Sequence, residues 1–170
     1  MSLQDLGGLG EFIGSIAVVL SLLYLAVQIR QNTKAERATS RQTILDTFYA
    51  ALWDLGASSE RQRVLKAGFA NFETLSDQDK AIFQLTLLRY IGNLYNGILL
   101  RQSDMVDEET FSIIANTAVS TLATAGGRQW WEASRDGSSP TIRDYIDRRL
   151  ADTDDLPPPL TDSSPWWRST

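Results

Sequence analysis

The segment from Phe12 to Ile29 constrains this chain most. It reads FIGSIAVVLSLLYLAVQI, 18 residues without a charge, between Glu11 and Arg30. A helix rises about 1.5 Å per residue, so the segment covers about 27 Å, close to the roughly 30 Å of a bilayer's hydrocarbon core. A buried helix of this length usually carries charge on one edge, and a signal sequence begins with basic residues, which are lacking here. The segment therefore predicts a transmembrane helix, which we place at residues 9–30.

The charges on the two sides of the span differ in sign. Asp5 and Glu11 precede it, whereas the residues that follow are mostly basic. The four basic residues are Arg30, Lys34, Arg37 and Arg41. Basic flanks stay in the cytoplasm, which predicts an N-terminus outside and a cytoplasmic C-terminal domain. We also expect the four basic residues to lie at the membrane surface, against anionic lipid headgroups.

Small residues recur along the first part of this helix at steps of three and four. They are Gly7, Gly10, Gly14, Ala17 and Ser21, and they share one helix face. Helices in lipid associate through close backbone approach along small residues. We expect this face to bind another transmembrane helix, in a complex with a different subunit or, as the alternative, in a homo-oligomer. The other interpretation is that glycine and alanine are simply common in membrane helices.

The composition excludes several kinds of chemistry. The chain has 170 residues, a net charge of −5, no cysteine and no histidine. Disulfides, thiol nucleophiles, Cys/His zinc sites and haem ligation by histidine are therefore excluded, and the commonest general base is missing. We expect no cofactor, no metal site, no enzymatic activity and no nucleic-acid partner. An enzyme that uses Glu108 or Glu109 with Arg89 or Tyr95 is the least favoured alternative.

Hydrophobic periodicity predicts an all-α protein. One transmembrane helix continues into a small cytosolic helical bundle, and an irregular tail containing proline and tryptophan follows. We divide the chain into a short N-terminal segment 1–8, the span 9–30, a cytosolic helical domain 31–150 and an extended tail 151–170. The first helix is expected to run to Leu55, and further helices to cover 60–70, 77–102 and 108–125, the last ended by Gly126 and Gly127. A short tryptophan-containing helix and a helix opened by Ser139-Pro140 complete the domain.

Residues 77–102 form the most apolar predicted helix of the domain and raise the question of a second span. Arg89 lies in the middle of this stretch. An arginine at the centre of a bilayer costs a few kcal/mol even on insertion scales. We therefore predict that this stretch is a central helix of the bundle, which is the other setting for a helix that is apolar on all sides.

Two further clusters could be functional. The acidic residues Asp104, Asp107, Glu108 and Glu109 suggest a cation site, but acidic residues also stabilise the first turn of a helix, which is the interpretation we favour. The aromatic pairs are Trp130 with Trp131 and Trp166 with Trp167. We expect both pairs to contact partners. Core packing or a ligand pocket is the alternative for the first pair, and docking on the domain or at the membrane interface, or a disordered tail, is the alternative for the second.

Two stretches resemble a known family. The sequence LLYLAVQIRQNTKA (Leu22–Ala35) resembles the YLAxQIRQNTxA-like motif of an uncharacterised bacterial membrane family, and GGRQWWEASRDGSSPTIRDYID (Gly126–Asp147) resembles its tryptophan-rich C-terminal segment. The resemblance covers about residues 9–150. It implies an N-terminal span, a small helical cytosolic domain and a bacterial cytoplasmic membrane, and it implies no activity.

These observations favour a non-catalytic structural or accessory subunit. Its membrane helix and tail would dock on partner membrane proteins, and one setting is a large energy-transducing complex, photosynthetic or respiratory. A self-associating homo-oligomer tethered to the membrane and a small-ligand sensor are the alternatives. The span has no ionisable residue with which to line an ion-conducting pore.

Overall fold

The computed structural model describes residues 3–56 and 58–163 of the chain, without the side chains of residues 3–6, 9, 54, 55 and 163. Within these ranges the protein is all-α, as predicted, and has no strand. The helices are α1 Leu3–Gly56, α2 Ser59–Ala70, α3 Asp77–Gln102, α4 Glu108–Leu122, α5 Ala125–Ser134, α6 Pro140–Ala151 and α7 Leu160–Ser163. Short 3-10 helices cover Phe72–Thr74 and Arg135–Gly137.

The described chain forms two compact units that divide between Thr39 and Ser40. The first unit is the N-terminal part of α1, whose described side chains are exposed from Gly10 to Asn32. The second unit begins with the C-terminal part of α1 and contains the other six described helices. The two units differ in burial. The first is a helix whose side chains are exposed, and the second is a domain with a packed core.

Five helices of the second unit begin at a side-chain cap. In each case a serine, threonine or aspartate oxygen accepts a hydrogen bond from the backbone N–H three residues later. The capping residues are Ser58, Ser76, Asp107, Thr124 and Ser139. Such caps satisfy N–H groups that the first helical turn leaves unpaired, which is why these helices start where they do.

The core of the second unit lies where α1 to α6 bring their apolar faces together. Its largest fully buried side chains come from α2, α3, α4, α5 and α6. They are Trp130, Trp131, Phe69, Phe83, Phe111, Leu65, Leu87, Leu94, Ile114, Leu122, Ile146 and Val64. From α1, Ile44 and Phe48 join the same cluster. Aromatic rings meet edge to face within it, as in the pair Phe69 and Phe83, whose centroids lie 5.3 Å apart.

The predicted end of the fourth helix at Gly126 and Gly127 is wrong. Helix α4 ends at Leu122, and both glycines lie in the first turn of α5. A Cβ at Gly126 would overlap the carbonyl oxygen of Gly68 in α2, and a Cβ at Gly127 would overlap that of Thr121. The glycines therefore permit close approach of backbones where the sequence pattern suggested a helix terminus.

The tail packs on α4. From Asp152 to Pro159 it has no helix, as predicted, and the short α7 that follows was not expected. Ser120 on α4 donates a hydrogen bond from Oγ to the carbonyl oxygen of Pro158. The guanidinium of Arg149 donates to Asn116 Oδ1 and to the carbonyl oxygen of Asp155, both at 3.0 Å. These contacts fix the described tail at two places.

Helix α3 buries one face only. Its core side includes Phe83, Leu87 and Leu94, each at most 1 % exposed. On the opposite side four large apolar residues are exposed, namely Leu85 (68 %), Leu88 (44 %), Tyr95 (39 %) and Leu99 (42 %). The helix belongs to the bundle, as predicted, but it is not enclosed on all sides by the described chain.

Candidate membrane span and partner surfaces

The N-terminal part of α1 leaves its apolar side chains exposed on every face. Twelve large hydrophobic residues between Phe12 and Ile29 are exposed, each by 44 % or more. Among the helices described, α1 is the one long and apolar enough to cross a membrane, and none of its most apolar window is buried. Length and composition alone do not separate a span from a core helix or a signal sequence. The complete exposure does distinguish it from a core helix, which buries a stripe.

The polar side chains inside the apolar segment form hydrogen bonds within the helix. Ser15 donates to the carbonyl oxygen of Phe12, and Ser21 donates to that of Ala17, both at 2.8 Å. The Nε2 atom of Gln28 lies 3.3 Å from the hydroxyl of Tyr24. Because every polar group in lipid needs an internal partner, this arrangement suits a hydrocarbon environment.

The predicted small-residue face is uncovered. A Cβ added at Gly7, Gly10 or Gly14 would meet no atom within 4 Å. Ala17 and Ser21, further along the same face, are exposed. The face is therefore available to another helix, and its role in partner binding stays a prediction.

The four basic residues after the span divide between the units. Arg30, Lys34 and Arg37 are exposed in the first unit and follow each other at helical spacing. Arg41 belongs to the second unit, where its Nη1 lies 3.4 Å from Asp107 Oδ2. The charge of Arg41 thus interacts with the start of α4, whereas the other three form the basic cluster that we expect at a membrane surface.

Trp130 and Trp131 lie in the core of the second unit, each 1 % exposed. Trp131 donates a hydrogen bond from Nε1 to Asp147 Oδ1 at 2.8 Å, and Arg135 Nη1 lies 3.1 Å from the other oxygen of the same carboxylate. This position corresponds to the packing alternative, and neither ring offers a surface to a partner. The tail pair Trp166 and Trp167 lies outside the described residues.

A groove of about 410 Å³ lies beside Trp131. Its lining is Arg128, Trp131, Glu132, Arg135, Asp147, Leu150 and Ala151. Its volume is in the range of small-ligand sites, which are mostly apolar with a few converging polar groups. Here Arg135 forms ion pairs with both Asp147 and Glu132, so these three charged groups are already paired within the protein. The groove is the place where the sensor alternative would be tested.

The acidic cluster forms the start of α4. Asp107 Oδ1 accepts a hydrogen bond from the N–H of Thr110 at 2.8 Å, and this bond, more than the nearby Arg41, lowers the pKa of the Asp107 carboxyl. Glu108 pairs with Arg101 at 3.3 Å. No group of three His, Cys, Asp or Glu residues in the described chain could hold a metal ion. The geometry is that of a capped helix start.

The exposed side of α3 is the surface that sequence reasoning missed. The signal was present, since Leu85, Leu88, Tyr95 and Leu99 recur at steps of three, seven and four. A helix that is apolar on all sides conceals such a stripe, because periodicity cannot tell which of two apolar faces the domain will bury.

Across residues 3–56 and 58–163, fold and exposure together define an α-helical protein with one helix that is long and apolar enough to span a membrane. No family model, no curated protein and no solved structure matches the chain. The family resemblance of its two motifs therefore stays an expectation, and function has to be argued from the residues themselves.

Proposed function

We propose that this protein is a single-pass, non-catalytic accessory subunit of a bacterial cytoplasmic membrane. The observation that supports the proposal is the uncharged, fully exposed segment Phe12–Ile29 of α1. Complete burial of a large apolar side chain is worth about 1.5–3 kcal/mol. For the twelve exposed residues of this segment, transfer from water to lipid is worth on the order of 20 kcal/mol. That exceeds the 5–15 kcal/mol by which a typical domain is stable.

The basic residues after the span support the proposed orientation. An N-terminus outside places Arg30, Lys34 and Arg37 at the cytoplasmic surface and the helical domain in the cytoplasm. Because the chain has no cysteine, single cysteines report topology directly. The substitutions Gly8→Cys and Asp144→Cys place a thiol at exposed positions on either side of the span.

Intact cells are treated with a membrane-impermeant maleimide. We expect Gly8→Cys to be labelled, and Asp144→Cys to be labelled only after permeabilisation. The reverse pattern would overturn the orientation. Release of the protein by alkaline carbonate would overturn the span itself.

The small-residue face supports the accessory role. Gly10 and Gly14 have open space around them, so a neighbouring helix can approach the backbone closely. We propose that this face docks on a transmembrane helix of another subunit, with the tail tryptophans as a second contact. The chain would thereby be part of a larger complex, for which an energy-transducing assembly is the proposed setting.

Purification in mild detergent followed by mass spectrometry tests the docking role. We expect a partner membrane protein to co-purify with the wild type, and Gly14→Leu to reduce its recovery at least tenfold. Val19→Leu, on the opposite side of the helix, is the matched control and retains the partner. A protein that runs as a bare monomer in native detergent extracts contradicts the accessory role, and a pure homo-oligomer favours the alternative of self-association.

A further inference from the structure

The exposed side of α3 has the form of a helix-pairing surface. We call it the outward face and define it by Ala81, Leu85, Leu88, Gly92, Tyr95 and Leu99. These residues follow each other at steps of four, three, four, three and four. That is the spacing of the contact positions in coiled coils. All six are exposed.

The outward face carries no charge. From Ala81 to Leu100 the one charged residue is Arg89, which lies at the edge of the face. A contiguous apolar surface on a folded domain marks an interaction site. We propose that the outward face binds the outward face of a second copy of this chain, with the two α3 helices antiparallel and crossing at Gly92.

The arrangement of side chains around Gly92 makes the face complementary to itself. A Cβ at Gly92 would meet no atom within 4 Å, so a second helix can approach the backbone there. Leu85 and Leu99 lie seven residues to either side of this glycine, Leu88 lies four residues before it, and Tyr95 lies three residues after it. In an antiparallel pair Leu88 meets Tyr95 of the second copy and Leu85 meets Leu99. Both halves of the contact are then the same, as two-fold symmetry requires.

The charges favour a second copy over an acidic or basic partner. Two-fold pairing of a charged face would bring like charges together, and the outward face has none to bring. Arg89 lies three residues before Gly92, and Asn96 lies four residues after it on the same flank. Antiparallel pairing therefore places each arginine beside an amide oxygen of the other copy, away from the second arginine. An acidic or basic partner would find no matching cluster on this face.

The contact is small, which predicts where it forms. Stable interfaces use about 20–30 residues a side, whereas the outward face supplies six. Tethering of two modules raises their effective concentration without any new contact. The pairing should therefore be strong for copies that share a membrane and weak for copies diluted in detergent. In this respect its strength, though not its geometry, rests on the proposed membrane anchor.

The test uses a single cysteine in the full-length chain in native membranes. Gly92→Cys places a thiol at the proposed crossing point, and Gly137→Cys is the matched control, because Gly137 has equally open space and lies off the outward face. With oxidant or a short bismaleimide, we expect a covalent dimer from Gly92→Cys and at least tenfold less from Gly137→Cys. Absence of a dimer from Gly92→Cys overturns the proposal.

Two double variants, each with one further substitution in the Gly92→Cys background, distinguish this pairing from association through the span. Leu88→Glu should reduce the crosslinked dimer at least tenfold, and Gly14→Leu should leave it unchanged. The opposite result assigns the dimer to the membrane helix and overturns the proposal. Circular dichroism and the thermal midpoint verify that Leu88→Glu is folded, and Leu85→Gln, at the most exposed leucine of the face, replaces it if it is not. Carbonate extraction reports separately whether the anchor has failed.

Discussion

The apolar segment of α1 and helix α3 resemble each other in sequence and differ in what surrounds them. Both are rich in leucine and isoleucine; the segment of α1 has no charge, and from Ala81 to Leu100 the one charged residue of α3 is Arg89. Phe12 on α1 is 65 % exposed, whereas Phe83 on α3 is completely buried. On the apolar segment of α1 every face is exposed, while α3 buries one face against α2 and α4 and leaves the other uncovered.

The difference shows how two apolar helices of similar composition meet different requirements. In the apolar segment of α1 the hydroxyls of Ser15 and Ser21 donate to carbonyl oxygens of the same helix, so these groups need no other element. In α3 the ends are defined by the caps Ser76 and Ser103, and Arg89 interrupts the apolar surface at its centre. A lipid environment suits the first arrangement, and a water-exposed domain with one packed face suits the second.

The largest expected effect compares the two phenylalanines. Phe83→Ala removes a ring that packs on Phe69 and Phe72, with centroids 5.3 and 5.7 Å away. We expect the free energy of unfolding of the detergent-solubilised protein to fall by about 3–5 kcal/mol. Phe12→Ala, its matched control on α1, should leave the unfolding of the domain within about 0.5 kcal/mol. Urea titration followed by tryptophan fluorescence measures both, and equal effects would contradict the contrast between the helices.

A glycine in the domain and a glycine on α1 should also differ in their response to substitution. Gly126→Ala would press a methyl group onto the backbone of Gly68, and the helices α2 and α5 would have to separate. We expect a loss of about 2–3 kcal/mol in the free energy of unfolding, at the upper end of the range for overpacking. Gly14→Ala, in open space on α1, should not destabilise the domain. A Gly126→Ala variant as stable as the wild type would show that these helices can move apart freely.

Tyr90 offers a smaller effect of opposite sign. Its hydroxyl is buried without a hydrogen-bond partner in the described structure, and burial raises its pKa to about 12. We expect Tyr90→Phe to stabilise the domain by about 1 kcal/mol, since an unsatisfied polar group is removed. Tyr24→Phe on α1 serves as the control and should have no such effect.

The pH dependence of Tyr90 gives a second measurement of the same group. An unfolded tyrosine has a pKa near 10, so the folded value is the higher one. Stability that is fully present below pH 10 should therefore be lost as the pH rises towards 12. Burial also raises the pKa of Tyr145, so absorbance of tyrosinate should show the titration near pH 12 in the wild type and its loss in Tyr90→Phe, while the raised titration of Tyr145 remains in both. A destabilised Tyr90→Phe variant would mean that the hydroxyl has a partner.

The smallest expected effect is a loss of stability at low pH. It arises in the second unit, because the apolar segment of α1 has no carboxylate. A hydrogen bond from Arg63, at 2.9 Å, lowers the pKa of Asp79, and the bond from Thr110 lowers that of Asp107. The stabilisation is fully present above the unfolded pKa, about 3.9, and is lost as the pH falls through the lower folded values. Urea midpoints at pH 6 and pH 3 should differ more for the wild type than for the double variant Asp79→Asn, Asp107→Asn. Equal differences would contradict a contribution from these two carboxylates.

The helical composition and most helix starts were predictable from the sequence because their signals are local. Ser76 and Asp107 are N-cap residues of α3 and α4, and a capping residue can be recognised from the local sequence without knowledge of the fold. The apolar segment of α1 was equally predictable, since its recognition requires only its length and its lack of charge. The proposed orientation and partner face rest on the same kind of local pattern and stay predictions.

What sequence reasoning missed depends on contacts between distant residues. Gly126 looked like a helix end because a glycine serves equally well as a terminus and as a close-packing position, and only the neighbouring Gly68 decides between them. Trp130 and Trp131 looked like surface contacts because tandem tryptophans give no indication of which side the domain encloses. The uncovered side of α3 was missed for the same reason, since the sequence does not show which of its two apolar faces the domain buries.

The attachment of the tail to α4 also has a mechanical consequence. Arg149 holds the chain at Asp155, and Ser120 holds it at Pro158, three residues further on. A pull applied beyond Ser163 would load the packed Leu160 of α7 first, the contact at Ser120 next and the one at Arg149 last, so the tail would detach one contact at a time. Tension at the end of the chain would then reach the C-terminal end of α4 before it reached α6.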